Sequence, residues 1–313
     1  MQMKDRKSPT RRASSESSYS FMEFMAEYPD DETCLRQLWR DRYSPDGTNA
    51  HCPKCDAIRA FERYPMTQQR QSWTCTACGH HLHPTAGTIY HKSSTSLHLW
   101  FYAMYLITST RCGISAKQLE RELGVTYKTA WRMFNQIRSL LDDDIRDLGG
   151  TIETDEMYVG GKEKNKHADK RFGAGRGAVG KQPVWGAMER GGRVVARVVP
   201  DTTKRTILPN VIERVLPRST VYTDEATMYD PLTGMGFGHK RIHHAAKVYV
   251  QGDVHVNSLE GFWSLVKRGI GGVYHSVSTK HLQSYVSEYA WRYNRRNDKQ
   301  ASFRTLLLRA ARP

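Results

Sequence analysis

Two short runs of β-type sequence lead into acid. VYTDEATMYD, at 221–230, carries Val221, Tyr222 and Thr223 straight into Asp224 and Glu225, and TIETDEMYVGGK, at 151–162, repeats the pattern with Asp155 and Glu156. Such carboxylates must sit in water at a sheet edge or meet something cationic. Neighbours on an extended strand face opposite sides, so only one acid of each pair can serve a given face, and Glu153 would share that of Asp155. A third acid, Glu260, lies in HVNSLEGFWSLVKRGI at 255–270, where Leu259, Phe262, Trp263 and Val266 make a helical apolar stripe. Asn257, one turn before it, and Lys267, two turns after, fall on the Glu260 face. An amide, a carboxylate and an ammonium in line suit a place beside metal and phosphate.

A second constellation is made of thiols. CPKC at 52–55 and CTAC at 75–78 are separated by nineteen residues. Two such knuckles supply Cys52, Cys55, Cys75 and Cys78, a donor set that can surround Zn²⁺ tetrahedrally. A closed four-thiolate site keeps no open position, so this zinc would fold the module without performing chemistry. Gly79 suits the sharp turn after the second pair, and Phe61, Tyr64 and Trp73 fit the hairpin of a zinc ribbon. His80, His81 and His83 are alternative ligands or exposed groups near nucleic acid. Cys34 and Cys112 read as small buried hydrophobes.

The chain must also hold these sets in place. Its 313 residues suffice for two or three domains, and 47 Lys+Arg against 32 Asp+Glu give a net charge of +15. Such an excess fits a polyanionic partner, nucleic acid first, because binding releases condensed counterions. No apolar signal region opens the sequence, and its longest apolar run, LWFYAMYLI at 99–107, is too short for a membrane span. A soluble cytoplasmic protein is expected, in a reducing compartment unsuited to a disulfide framework. Residues 1–20 are Ser-rich and charged and read as a disordered basic tail.

GISAKQLERELGVTYKTAWRMFNQIRSLL, at 113–141, reads as a helix-turn-helix. Ser115 with Gln118 predicts a capping box, Gly124 the turn, and Thr126 the next cap. Ala130, Phe134, Ile137 and Leu141 face inward, leaving Lys128, Thr129 and Arg132 as candidate DNA contacts. A helix over about 95–109 is expected to complete the trihelical core. Lys162 and Lys181, at the ends of a glycine- and lysine-rich loop, and Arg268 are further candidate DNA contacts. In EYAWRYNRR, at 288–296, the aromatic residues read as packing while Arg292, Arg295 and Arg296 could touch DNA.

After Gly149 a sheet can be sketched: TIETDEMYV, a hairpin of PVWGAMER and RVVARVVP closed at Gly191-Gly192, a helix over TTKRTILPNVIERVL, then STVYTD. Three antiparallel strands, a helix and a strand ending in Asp resemble the ribonuclease H-like fold. In that fold the first and fourth strands are neighbours, which implies that Asp155 and Asp224 meet. The sequence as a whole resembles the bacterial insertion-sequence transposases of the DDE type that carry an N-terminal zinc ribbon. The motifs are CPKC…CTAC, TAGTIYHKS, GISAKQLERELGVTYKTAWRM, DEMYVGGK, VYTDEATMYD, HVNSLEGFWSLVKRGIGGVYHSVS and EYAWRYNRR.

The resemblance implies a multidomain chain: tail 1–20, zinc ribbon 21–92, helix-turn-helix domain 93–147, α/β ribonuclease H-like mixed-sheet catalytic domain 148–297 and C-terminal tail 298–313. It implies Asp155, Asp224 and Glu260 as the catalytic, Mg²⁺- or Mn²⁺-binding triad, with Lys267 as the basic residue after the acid. Some members use Asn at the third position, so Asn257 stands beside Glu260 as a possible ligand. Further implications are structural Zn²⁺, terminal-inverted-repeat and target DNA as partners, assembly as a homo-oligomer on DNA, and a nucleoid setting without membrane. The competing functions are a transposase-derived DNA-binding regulator and a structure-selective nuclease.

Overall fold

The structure, a computed structural model, describes residues 19–64, 71–110, 112–161, 180–242, 256–298 and 302–312. The chain divides into two compact units, Met1–Arg111 with Arg296–Pro313, and Cys112–Arg295.

The first unit begins with α1 (Phe21–Glu27) and α2 (Asp31–Arg42). Ser20 starts α1 through a capping box with Glu23, and Asp30 caps α2 by accepting from the Thr33 amide at 2.7 Å. Four short antiparallel strands follow, β1 (Asn49–Cys52), β2 (Ala57–Arg63), β3 (Trp73–Cys75) and β4 (His81–Leu82), paired in chain order. Trp39 of α2 stacks on Trp73 of β3 with centroids 4.7 Å apart, so the helix supplies a core that so small a sheet lacks. The span expected as ribbon alone thus includes two helices.

Helix α3 (Leu97–Ser109) also belongs to this unit, with Trp100, Phe101 and Met104 fully buried. Within this unit it is covered by α2 and by α9 (Ser302–Ala310), which falls in the stretch the sequence assigns to a C-terminal tail. Phe303, Leu306, Leu307 and Ala310 are buried at i, i+3, i+4 and i+7, the spacing of an amphipathic helix. Arg304 fixes α9 to Asp41 at 2.6 Å, and Tyr19, placed in the disordered tail by sequence, stacks on Phe303. The rest of that tail lies outside the described residues.

The second unit opens with α4 (Ala116–Leu123) and α5 (Tyr127–Ser139). Gly124 closes α4 in the left-handed region at φ 62°, which a glycine adopts without steric cost. Ser115 accepts from the Gln118 amide, but the Gln118 side chain turns to Glu122, so only half of the expected capping box forms. Ala130, Phe134, Ile137 and Leu141 are buried as the periodicity requires.

A five-stranded mixed sheet comes next: β5 (Thr151–Val159), β6 (Gln182–Glu189), β7 (Val194–Val198), β8 (Thr220–Thr223) and β9 (Gly238–Arg241). Its spatial order is β7-β6-β5-β8-β9, with β6 antiparallel to both neighbours and β8 parallel to both of its own. Helix α6 (Lys204–Arg214) precedes β8, and α7 (Asn257–Gly269) and α8 (Leu282–Asn294) follow the sheet. Strand alternation divides the core. Ile152, Trp185 and Val221 pack with α6 residues on one face, while Met157, Val184 and Met188 pack with Leu259, Phe262, Trp263 and Val266 of α7 on the other. Each large apolar side chain buried here contributes about 1.5–3 kcal/mol, so the α7 stripe anchors that helix firmly.

Candidate active site

Asp155 sits in the middle of β5, on the face covered by α7. Its side chain is oriented by the Trp263 indole, which donates to Oδ2 at 3.1 Å. Trp263 can lie there because its Cα-register partner strand offers Gly186 opposite Asp155. A Cβ on Gly186 would come within 2.6 Å of the indole ring.

Asp224 follows β8. The parallel register pairs Ile152 with Val221 and Glu153 with Tyr222, and Asp224, just past the end of β8, lies near enough for its charge to act on Asp155. Its Oδ1 accepts from the Ala226 amide at 3.0 Å, turning the chain into a 3₁₀ helix over Thr227–Met235. Glu260 lies in the first turn of α7, exposed, with Asn257 exposed one turn before it and Lys267 and Arg268 exposed in the last turn.

The electrostatics connect these positions. Burial pushes the Asp155 carboxyl up to about 6, and the charges of Asp224 and Glu260 add to the rise, against the hydrogen bonds of the Glu156 amide and Trp263. Glu156, on the opposite face, is pushed up to about 8 by burial, with Asp155 and Asp224 adding and the Tyr229 hydroxyl opposing. That hydroxyl donates to Glu156 Oε1, and burial beside this acid holds Tyr229 well above its ordinary value. Asp155 and Glu156 thus face apart, Asp155 toward α7 and Glu156 into the α6-side core. Glu225 is exposed.

Glu153 shares the face of Asp155, as alternation requires, but is fully enclosed. Its carboxylate accepts from the amides of Ser258 and Leu259, from Ser258 Oγ and from Arg190. Nothing in the local sequence signals this role, because the helix it meets begins about a hundred residues later.

Among the described residues, only Cys52, Cys55, Cys75 and Cys78 form a set of three or more potential ligands with donor atoms all within 4.8 Å of one another. The three acids do not draw in to that spacing. In the thiol set, Cys52 and Cys78 sulfurs lie 3.5 Å apart. Each knuckle ends in a left-handed residue, Asp56 at φ 50° and Gly79 at φ 72°. Burial raises the Cys52 thiol, yet the amides of Cys55 and Lys54 and the Cys78 thiol bring it down to about 7. Backbone amides that favour thiolate, around four converged sulfurs, fit a Zn²⁺ donor set.

The candidate DNA contacts are distributed unevenly. Lys128 and Arg132 are exposed on α5, while Thr129 is half-buried with its hydroxyl 3.1 Å from that of Thr126. Lys181 is half-buried before β6, and Lys162 lies outside the described residues. Two arginines of the EYAWRYNRR run are committed to the fold. Arg292 is buried against Glu288 at 2.8 Å, and Arg295 pairs with Asp143 at 2.6 Å. Their basic sequence context hid acidic partners one turn away and 152 positions away.

Residues 147–294 match the ISXO2-like transposase domain, a span containing Asp155, Asp224 and Glu260. An uncharacterised protein in transposable element ISH50 of Halobacterium salinarum is 31% identical over 255 residues, covering 77% of this chain and 84% of the relative. An uncharacterised transposase-like protein of Haemophilus influenzae is 33% identical over 102 residues, covering 33% of this chain and 81% of that protein. Superposition on the Mos1 strand transfer complex gives a TM-score of 0.22 at 11% identity over 68% of this chain and 78% of the other, too low to bear on the fold. The length and level of the Halobacterium match, with the domain match inside it, place this chain among the insertion-sequence DDE transposases, in the group with an ISXO2-like domain.

Proposed function

We propose that this chain is a DNA transposase that binds the terminal inverted repeats of its own element and cuts and joins DNA strands with Asp155, Asp224 and Glu260. The observation that carries the reading is the condition of Asp155. A carboxylate in mid-sheet is desolvated and further burdened by two other acids, one from the end of β8 and one from α7. A buried carboxylate raised in this way, with two further acids acting on it, is what a divalent cation would relieve. The sheet order β7-β6-β5-β8-β9 supports the ribonuclease H-like reading, and the four-thiol cluster supports a zinc ribbon in the first unit.

The three acids are hard oxygen donors of the kind Mg²⁺ or Mn²⁺ takes. When bound, a pair of such ions would clamp the attacking and leaving oxygens of an in-line phosphoryl displacement. The protein's own residues do the positioning. Trp263 fixes the Asp155 carboxylate, the Ala226 amide fixes that of Asp224, and α7 presents Glu260 with Asn257 and Lys267 along one exposed face for a phosphate backbone. Lys128 and Arg132 on α5, within an overall charge of +15, supply contacts to duplex DNA, and assembly of copies on paired ends would bring two such sites to one target.

The test is Mg²⁺-dependent nicking and strand transfer on duplexes carrying the element's ends. Asp224→Asn should lower nicking by roughly 10³-fold, the effect of losing several kcal/mol of charge stabilisation, while leaving end binding intact. Binding without cutting by the parent protein would make it a regulator, and cutting without joining a nuclease.

A further inference from the structure

We infer that Glu153 is a positioning residue of this site, a buried carboxylate that ties α7 to the strands bearing the other two acids. The inference rests on the proposed active site. Helix α7 is preceded by Val256 at the N-cap position, which supplies no side-chain cap. An uncapped first turn leaves amides without partners, and here a strand residue takes their place. Glu153 Oε2 accepts from the amides of Ser258 at 2.9 Å and Leu259 at 3.0 Å, and Oε1 accepts from Ser258 Oγ at 3.0 Å. A carboxylate at a helix N-terminus is favoured by the helix dipole as well as by the bonds themselves.

The other side of Glu153 faces Arg190. The guanidinium bonds Oε1 at 3.2 Å and lies over the Tyr222 ring at 5.0 Å from its centroid. Tyr222 is also the Cα-register partner of Glu153 across the β5–β8 pair. Glu153 stands two residues before Asp155, Tyr222 two before Asp224, and Ser258 and Leu259 directly before Glu260. From its place on β5, the Glu153 carboxylate therefore reaches the first turn of α7 directly and the Tyr222 ring of β8 through Arg190. A local cap such as Ser or Asp at 256 could have stabilised α7 equally well, but it would not have tied the helix to the strands.

This role has a signature that loss of stability lacks. A misplaced α7 weakens metal capture, so the metal concentration for half-maximal nicking rises, while saturating metal restores most of the rate. A variant that merely unfolds lowers the rate at every metal concentration without moving the midpoint. For Glu153→Gln, which keeps the side-chain volume, we expect the Mn²⁺ midpoint to rise at least about tenfold, as for outer groups that orient metal ligands. The midpoint for Tb³⁺ luminescence, sensitised by Trp263 and read without DNA, should rise in parallel. Ser258→Ala removes only the hydroxyl bond and should shift both midpoints about two- to fivefold in the same direction. If Glu153→Gln fails to fold, Ser258→Ala decides. Unmoved Mn²⁺ and Tb³⁺ midpoints in the folded variants would overturn the positioning role. If instead the parent protein neither nicks nor loses Tb³⁺ binding on Asp155→Asn, the site reading itself has failed.

Discussion

The second unit buries acids in two ways. Glu288 on α8 is 1% exposed and lies between Arg138, itself 1% exposed, and Arg292. Burial raises its carboxyl, but the two guanidiniums overcome that and hold it below the usual range. Arg138 in turn lies over the rings of Phe134 and Tyr285 at 3.8 and 3.5 Å, which adds cation–π attraction to the ion pair. Asp155 and Glu156 are also mostly enclosed, yet their strongest charged influences are other acids, and both carboxyls rise. The contrast is one of compensation: Glu288 is matched by arginine, whereas Asp155 and Glu156 are crowded by other acids.

Swapping charge for amide in each region should expose the contrast. Glu288→Gln strands Arg138 without a counter-ion and should cost about 3–5 kcal/mol in urea unfolding. Asp155→Asn should leave stability at pH 7 unchanged or higher while lowering nicking by roughly 10³-fold. Equal destabilisation by the two would erase the distinction.

A smaller effect is expected at the joint between strand and indole. Gly186→Ala places a methyl against Trp263, whose ring atoms lie 2.6 and 2.7 Å from the Cβ position. Overpacking of this kind costs about 1–3 kcal/mol, and the displaced indole should loosen Asp155 and reduce nicking beyond what the lost stability explains. Nicking that follows stability alone would show that Trp263 only packs.

The smallest expected effect depends on pH. Glu156 has a folded pKa raised to about 8, so the folded state keeps its proton where the unfolded chain has released it. The stability this proton carries is complete below the ordinary glutamate range and is lost as pH rises through about 8. Glu156→Gln should therefore raise Tm by a few degrees near pH 9 and hardly at all near pH 4. An equal change at both pH values would contradict the assigned ionisation.

Much of this arrangement was legible in residue order. Strand β5 spans 151–159 as its alternation implied, and the β6–β7 hairpin turns through Gly191 at φ 73°. Asp155 and Asp224 stood out in the sequence because charge on a β-type run conflicts with burial. What escaped was non-local. Glu153 caps a helix more than a hundred positions away, Arg295 pairs with Asp143, and α9 returns to the first unit, where Phe303 meets Phe24 and Tyr28. Each role is set by a partner that pattern and propensity along one stretch cannot name.

The central claim is that Asp155, Asp224 and Glu260 converge to share divalent metal. Anomalous diffraction from crystals of the unmodified protein grown with Mn²⁺ tests it most directly. The account predicts a manganese peak bridging the Asp155 and Asp224 carboxylates with Glu260 drawn toward it. Crystals in which manganese binds elsewhere, or in which these two aspartates stay apart with no ion between them, would contradict it.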